Sequence, residues 1–459
     1  MGVQRRWEKY PITYRTEEMR HLAEWIADGE SGAVVGLPGT GRATLLNILC
    51  RRREIFQKYL EAHNQRAILV PVDLNNLPDD DLATLYRTIL RSFYEIRDRF
   101  EEPIQGAVIT LYQKYEAARD PFLPQSGLRE LLLKFEEEEK KVVLVMNRFD
   151  RFCLDATPQM TRTLRGLRDR FKETLCYIMG MSQEVNYFAD LPSVKPLHTI
   201  LDTHVLWVGP LNEADAVQMI KRELLREADE GVVEMLLALT GGYPSLIRVV
   251  CHWWDELGPN EADFGGWLLA RKSVRNRLAA LFNALTQEEQ ALLRDIADGR
   301  NKKDRNILAK PTPYEQTVLE GLARKGICLK REQEWKINSR LFEAYPALIP
   351  GHSGGRIWLK EKTREVFQGN KPVPDLAPME QAVLEFFIKN SQKRLTYSDL
   401  IEGAWHEFDA EGVRTDAVYQ VVRGIRKVVE PEPSEPRYIV NWRGKPEGGY
   451  QFFPEGRPI

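Results

Sequence analysis

Residues 33–46 read AVVGLPGTGRATLL, and this stretch decides the fold of the first part of the chain. An apolar run leads into a glycine-rich turn, and residues typical of a helix follow at once. In this arrangement consecutive backbone N–H groups surround a phosphate at the N-terminus of a helix. We therefore predict a phosphate-binding loop whose cradle is formed by Gly36, Gly39, Thr40 and Gly41 and by the backbone amides of residues 39–44.

Two side chains of this loop differ from those that usually bind nucleotide and metal. Arg42 stands where such loops carry lysine, and Ala43 stands where they carry the hydroxyl that holds Mg²⁺. A guanidinium is planar and suits bidentate partners, so it does not replace the compact charge of lysine. The side chain of Thr44 lies about 100° further round the helix than that of Ala43, so we do not expect it to replace the missing hydroxyl as a ligand of Mg²⁺. We expect that nucleotide can still bind and that Mg²⁺ loses a direct contact.

The second half of this site also departs from the usual pattern. Residues 140–150 read KKVVLVMNRFD, a continuous apolar run that ends in polar residues, as a buried parallel strand does. P-loop enzymes place the acid that anchors Mg²⁺ at the end of this strand. Here that position is Asn147, Arg148 stands where a water-activating glutamate is often found, and only Asp150 keeps an acid nearby. Two hypotheses follow: the loop binds ATP or ADP with little help from Mg²⁺ and impaired hydrolysis, or the P-loop fold is kept as a scaffold.

Composition indicates a large globular protein. A chain of 459 residues is too long to fold around a single hydrophobic core, so we predict three or four domains. Its five cysteines lie far apart and mostly within apolar runs, so we expect buried free thiols in a reducing compartment and no bound metal. No apolar signal core and no 18-residue apolar run occur, which predicts a cytoplasmic protein with no membrane partner. The net charge of −2 means that any DNA binding must depend on local patches.

The pattern of helix and strand signals changes along the chain. Alternation of the two through about residue 205 predicts an α/β domain with a parallel sheet covered by helices on both faces. The pattern then becomes helical, with Asn212 as a helix cap, and a later capping box at Thr286 and Glu289 precedes helices and a hairpin. The predicted domains are an α/β P-loop domain (1–209), a helical lid (210–272), a winged-helix domain (273–348), a glycine-rich linker (349–355) and a second winged-helix domain (356–459).

Residues 8–345 resemble the STAND branch of the AAA-like P-loop ATPases. Arg15-Thr16-Glu17-Glu18 is similar to the family's Arg-and-Glu box, and Gly209-Pro210-Leu211 is similar to the start of its lid. Thr240 to Leu246, TGGYPSL, resembles the Gly-x-Pro motif whose proline packs on adenine in that family. The resemblance implies nucleotide contacts at Arg15 and Pro244. Arg42, Ala43, Asn147 and Arg148 depart from the family at the residues that make it an ATPase.

Residues 356–456 resemble the OmpR-type winged-helix effector domain of bacterial response regulators. The matching stretches are LAPMEQ at 376–381, YSDLI at 397–401 and the closing YIVNWRG and GGYQF at 438–444 and 448–452. A receiver domain that would normally precede this effector is absent from the sequence pattern, so phosphorylation of an aspartate is not the expected switch. The resemblance implies double-stranded DNA as a partner.

The third helix of this domain has two distinct faces. Val418, Val421, Val422, Ile425 and Val428 are predicted to form its core stripe. The other face offers side chains suited to base edges and phosphates. The candidate DNA contacts are Tyr419, Gln420, Arg423 and Lys427 on this face, Arg414 just before the helix, and Arg443 and Lys445 on the wing.

Three hypotheses for function remain at this stage. The first is a cytoplasmic bacterial regulator in which a degenerate STAND-type nucleotide-binding module controls DNA binding in response to a signal. The second is a catalytically inactive pseudo-ATPase adaptor, whose winged helices contact protein partners in a defence or mobile-element system. The third, an active ATPase motor, fits the altered loop least well. Self-association is compatible with each of them.

Overall fold

The computed structural model describes residues 10–63, 66–75, 77–188, 191–257, 263–302, 307–331, 334–348, 356–360, 363–369, 371–373, 376–405, 415–442, 444, 447–454 and 456. The chain divides into two compact units. The first comprises Met1–Arg277, Ala323–Leu329 and Ile337–Leu341, and the second comprises Leu278–Leu322, Lys330–Lys336 and Phe342–Ile459. The finer domain boundaries given above remain predictions.

A five-stranded parallel sheet forms the centre of the first unit. Its strands lie in the order β2-β3-β4-β1-β5 and are β1 Gly32–Val35, β2 Ala67–Val72, β3 Lys141–Asn147, β4 Leu175–Met181 and β5 Val205–Trp207. All neighbouring strands are parallel, with Val35 paired to Met181 on one side and Trp207 on the other. Every residue of β1 and β4 is buried, so both faces of the sheet are covered. The predicted α/β class is confirmed.

Nine α-helices accompany this sheet in the described part of the first unit, and four more follow it. The nine are α1 Thr16–Ala27, α2 Arg42–Arg51, α3 Arg53–Glu61, α4 Leu82–Glu95, α5 Ile104–Tyr115, α6 Phe122–Glu137, α7 Phe149–Asp155, α8 Pro158–Arg170 and α9 His198–Thr203. The next four are α10 Glu213–Glu223, α11 Glu230–Thr240, α12 Pro244–Leu257 and α13 Phe264–Leu269. The Asn212 side chain accepts a 2.8 Å hydrogen bond from the amide of Asp215, so the predicted cap of α10 is present.

Helices and a hairpin follow in the region predicted as the first winged helix. The helices are α14 Lys272–Asn283, α15 Gln287–Lys302, α16 Pro313–Arg324 and α17 Arg340–Ala344, and the hairpin pairs β6 Cys328–Arg331 with β7 Glu334–Ile337. The amide of Thr286 donates to Glu289 Oε2 over 2.8 Å and the amide of Glu289 donates to Thr286 Oγ1 over 3.4 Å, which is the predicted capping box. Assignment of the whole region as a winged helix stays a prediction.

The C-terminal segment has its own apolar core. Its elements are β8 Ile357–Lys360, β9 Glu365–Gln368, β10 Lys371–Pro372, α18 Pro378–Lys389, β11 Arg394–Thr396, α19 Tyr397–Ala404, α20 Thr415–Val429, β12 Ile439–Trp442 and β13 Gly449–Phe452. They form two antiparallel sheets, β10-β9-β8 and β11-β13-β12, and the buried cluster runs from Ile357 to Phe452. Three helices closed by a β-hairpin confirm the predicted winged helix.

The core stripe of α20 differs from the prediction at one end. Val418, Val422 and Ile425 are buried as expected, whereas Val421 and Val428 are only half-buried. Val429 is buried instead, at 2% exposure. Eleven residues from Val418 return to within about 20° of the same face of a helix, whereas ten residues fall about 80° short.

Candidate nucleotide site and DNA interface

The loop between β1 and α2 has the conformation of a phosphate cradle. Gly39 and Gly41 have φ angles of 89° and 93°, a left-handed backbone that glycine adopts without strain. The buried Thr40 turns its hydroxyl back to donate to the carbonyl oxygen of Leu37 over 2.9 Å. Helix α2 then begins at Arg42. The loop therefore leads into a helix N-terminus, where an anion is stabilised.

The start of α12 lies directly against this loop. The amide of Ser245 donates to the carbonyl oxygen of Gly39 over 3.2 Å. A methyl group added to Gly39 would collide with Ser245 Oγ, and one added to Gly41 would lie 3.3 Å from Pro244 Cγ. The structure thus brings Pro244, which the STAND resemblance assigns to adenine, next to the phosphate loop.

Arg15 is a buried cation that joins four segments of the first unit. It is 1% exposed and has a left-handed φ of 54°. Its backbone amide donates to Asp215 Oδ2 over 2.9 Å, and one guanidinium nitrogen, Nη2, donates to the carbonyl oxygens of Thr40 at 2.6 Å and Gly209 at 2.8 Å. The other terminal nitrogen pairs with Glu18. Arg15 therefore fixes the loop to Gly209 and to the start of α10, and direct contact with a nucleotide stays a prediction.

Arg42 points back into the loop that it follows. Its Nη1 donates to the carbonyl oxygen of Gly36 over 3.3 Å. Burial lowers the pKa of Arg42, while the nearby Asp150 carboxylate opposes that shift. The guanidinium still keeps its charge at neutral pH because its ordinary pKa is so high. Arg42 Nε and Ser245 Oγ are buried and have no hydrogen-bond partner within the described part of the chain. These two unsatisfied groups at the loop fit an anionic group such as a nucleotide phosphate.

The acid side of the site is committed to contacts within the protein. Asn147 Oδ1 accepts a 3.0 Å hydrogen bond from the amide of Arg148. The buried Asp150 carboxylate accepts from the amide of Ser182 at 2.9 Å and from its hydroxyl. With no oxygen on the Ala43 side chain, the donor set does not fit Mg²⁺, and no cluster of three metal-ligating side chains occurs among the described residues.

Three polar residues of this site were missed by the reading of the sequence. Ser182 directly follows β4, Ser245 directly follows Pro244, and Asp215 lies in the first turn of α10. Ser182 could have been predicted as a site residue because it directly follows a predicted strand, and ligand-binding groups of a parallel sheet lie at the carboxyl ends of its strands. The contacts of Ser245 and Asp215 join distant segments and left no local signal.

One face of α20 carries the predicted DNA contacts. Tyr419 is 44% exposed, and Gln420, Arg423 and Lys427 are also exposed, opposite the buried valines. Arg426 is turned inward instead, because its Nε donates to the carbonyl oxygen of Ile439 over 3.0 Å and its Nη2 donates to Asn441 Oδ1 over 2.6 Å. The exposed set is therefore available to a ligand, while Arg426 holds the helix to the wing strand.

The other predicted DNA contacts, Arg414, Arg443 and Lys445, lie outside the described residues. The same is true of the predicted linker at 349–355. Among the helices that the structure does describe, none is long and apolar enough to cross a membrane.

Comparison with known proteins identifies the C-terminal domain. Residues 370–452 match the family described as transcriptional regulatory protein, C terminal. No curated protein sequence matches the chain significantly. Among solved structures, a Walker-type ATPase of Pyrococcus abyssi is 15% identical and covers 75% of this chain and 97% of its own, with a TM-score of 0.43. Cdc6p of Pyrobaculum aerophilum is 14% identical, and the match covers 74% of this chain and 93% of the Cdc6p chain, with a TM-score of 0.36. The Orc1 protein of Aeropyrum pernix in complex with DNA is 17% identical, and the match covers 73% of this chain and 91% of the Orc1 chain, with a TM-score of 0.32.

The fold and the family match define the class of the chain. A parallel sheet with a phosphate-type loop after β1 makes the first part a P-loop ATPase-like module. The matched C-terminal region makes the last part a DNA-binding domain of the transcription-regulator type.

Proposed function

We propose that this chain is a signal-responsive DNA-binding regulator, in which a degenerate STAND-type nucleotide-binding module controls an OmpR-type winged helix. The proposal includes a bacterial, cytoplasmic setting. The observation that carries it is the exposed polar face of α20, because that face lies in a region that matches transcriptional regulators. Gln420 and Arg423 would read base edges, and Lys427 would contact phosphate.

The nucleotide part of the proposal rests on the loop and the lid. ATP or ADP would supply phosphates to the amides of residues 39–44 and to the unsatisfied groups of Arg42 and Ser245. Pro244 would lie against the base. Because Ser245 contacts Gly39, a ligand in the loop would lie beside the start of α12, and we propose that it changes the contact between α12 and the loop. Movement of the lid is therefore the proposed first step of regulation, and hydrolysis is not required for it.

A specific observation keeps the adaptor hypothesis as the second candidate. The polar face of α20 includes the exposed Asp416, and the whole chain has a net charge of −2. An acidic contribution at this face weakens binding to DNA and would suit a protein surface. In that case the P-loop module would be a pseudo-ATPase, and the winged helices would bind protein partners or a second copy of the chain.

The regulatory proposal is tested by measuring duplex binding with and without nucleotide. We expect ATP or ADP to change the DNA affinity of the full-length chain about 5-fold or more, the lower range of allosteric coupling. Arg42→Ala should reduce this response, and Arg20→Ala, at an exposed position on α1, should keep it. Equal DNA affinity in ATP, in ADP and without nucleotide would contradict control by the P-loop module.

A further inference from the structure

Two tyrosines form a hydrogen-bonded pair at the exposed face of the C-terminal domain. Tyr397 is the first residue of α19 and Tyr419 lies on α20, yet their hydroxyl oxygens are 2.6 Å apart. Their ring centroids are 5.3 Å apart, and both rings contact the buried ring of Tyr450 at 5.8 Å and 6.2 Å. The pair is therefore held from beneath by the wing strand β13, while Tyr419 remains 44% exposed. We call Tyr397 and Tyr419 the tyrosine pair.

Within the described part of the chain, the tyrosine pair has one hydroxyl hydrogen left over for a ligand. When two hydroxyls bond to each other, one donates and the other still carries an unused hydrogen. Burial and the bond to Tyr419 raise the pKa of Tyr397 above its ordinary value, so the phenol stays protonated at neutral pH. A hydroxyl that already accepts a hydrogen bond becomes a better donor through polarisation. Tyrosine hydroxyls are among the groups that bind DNA phosphates.

A carboxylate of the same chain binds the backbone amide of the residue that follows Tyr397. Glu447, on the wing, accepts a 3.4 Å hydrogen bond from the amide of Ser398 through its Oε1. Its negative charge also acts on Tyr397 and contributes to the raised pKa of that phenol. Ser398 follows Tyr397 directly, so one anionic group already borders both the tyrosine pair and an adjacent backbone amide.

We propose that the tyrosine pair binds a phosphate of the DNA backbone, and that the Glu447 carboxylate competes with that phosphate in the free protein. This inference rests on the proposed DNA-binding function and adds to it two residues outside the predicted set, Tyr397 and Glu447. Without DNA, the carboxylate accepts a hydrogen bond from the Ser398 amide next to the pair. It also repels the incoming phosphate, so DNA binding requires its displacement.

The test uses the full-length chain, a fluorescent duplex of random sequence and anisotropy titrations at two salt concentrations. Tyr419→Phe should weaken binding about 3- to 10-fold on every sequence, the worth of one hydrogen bond. Tyr314→Phe removes a hydroxyl from a tyrosine that is 64% exposed elsewhere, and it should change binding less than about 2-fold. Glu447→Gln should strengthen binding about 3- to 10-fold, clearly beyond Glu435→Gln, which removes the same charge at an exposed position of the same domain.

A double-mutant comparison separates competition from a general charge effect. The gain in DNA affinity from Glu447→Gln should be smaller in a Tyr397→Phe variant, because the two residues act on one phosphate. The inference would be overturned if Glu447→Gln and Glu435→Gln changed DNA affinity equally. It would also be overturned if the tyrosine variants lowered the melting temperature but bound DNA normally. In those cases the proposed function stands as long as the wild-type chain binds DNA. Absence of duplex binding by the wild-type chain would refute the proposed function itself and this inference with it.

Discussion

Arg15 and Thr40 are joined by a 2.6 Å hydrogen bond from the guanidinium of the first to the carbonyl oxygen of the second. The same guanidinium binds the carbonyl oxygen of Gly209, and the backbone amide of Arg15 binds Asp215. One buried cation therefore holds the phosphate loop, the segment after β5 and the start of α10 in a fixed relation.

Replacement of Arg15 should destabilise the first unit strongly. Arg15→Met keeps much of the side-chain volume but leaves the Thr40 and Gly209 carbonyls and the Glu18 carboxylate without this donor. We expect a loss of about 2–4 kcal/mol in the free energy of unfolding, measured by chemical denaturation. Arg20→Met, at the exposed pair with Glu17, should stay within about 0.5 kcal/mol of wild type. Equal stabilities of the two variants would refute the role of Arg15.

The loop conformation predicts different outcomes for two glycine substitutions. Gly39→Ala adds a methyl group at a φ of 89° and against Ser245, so it should lower the free energy of unfolding by about 1–3 kcal/mol. Gly166→Ala lies inside α8 with open space around the new methyl, so it should raise that free energy by about 0.5–1 kcal/mol. Thermal denaturation of both variants checks the pair. A Gly39→Ala protein as stable as wild type would contradict the close contact between the loop and the start of α12.

Removal of Mg²⁺ should hardly change nucleotide affinity. The Ala43 side chain offers no oxygen, and the Asp150 carboxylate is committed to Ser182. Calorimetric titration with ATP and ADP should therefore give dissociation constants that agree within about 3-fold with Mg²⁺ and with a chelator. Ala43→Thr should restore part of a metal effect, and Thr44→Ala should not alter it. A strict Mg²⁺ requirement, or turnover on the order of one per second, would refute the pseudo-enzyme interpretation.

Substitutions on α20 should separate sequence reading from phosphate binding. Arg423→Ala should weaken preferred sites by about 1–3 kcal/mol and random DNA much less, because arginine pairs with guanine edges. Lys427→Ala should weaken all sequences alike and reduce the salt slope of binding by about one unit. Titration of specific and random duplexes at several salt concentrations distinguishes the two. Identical behaviour of both variants would contradict the assigned roles.

The cysteines predict a stability loss at high pH. All five are buried and none forms a disulfide in the described structure, and burial raises the pKa of Cys50, Cys176 and Cys251 to about 12. The native state therefore holds these protons more tightly than the unfolded chain does, and its stability should fall as pH rises from about 9 toward 12. Thiol reagents at pH 8 should react with none of the five quickly before denaturation and with all of them afterwards. Rapid labelling of the native protein would contradict their burial.

Local patterns were sufficient to predict much of the fold. The phosphate loop, the Asn212 cap and the capping box of Thr286 and Glu289 each depend on a few neighbouring residues, and all are present. The sequence pattern placed Val428 in the core stripe, whereas Val429 is the buried residue; the 3.6-residue period of the helix was sufficient to predict this.

Contacts between distant segments were the part that the sequence could not predict. Arg15 and Asp215 are 200 residues apart, and no periodicity links them. Tyr397 was noted only within the YSDLI stretch of the family resemblance, because its hydrogen bond to Tyr419 exists only once α19 and α20 have packed. The inward turn of Arg426 likewise depends on the position of β12. Candidate sites were therefore predicted where one segment supplies the geometry, and missed where two segments must meet.

The most direct test of the account is selection of duplexes from a random DNA pool by the full-length protein, with and without ATP. The account predicts an enriched sequence motif whose recovery depends on Arg423 and changes when nucleotide is present. Recovery of no motif under either condition would contradict the regulator hypothesis and favour the protein-binding adaptor.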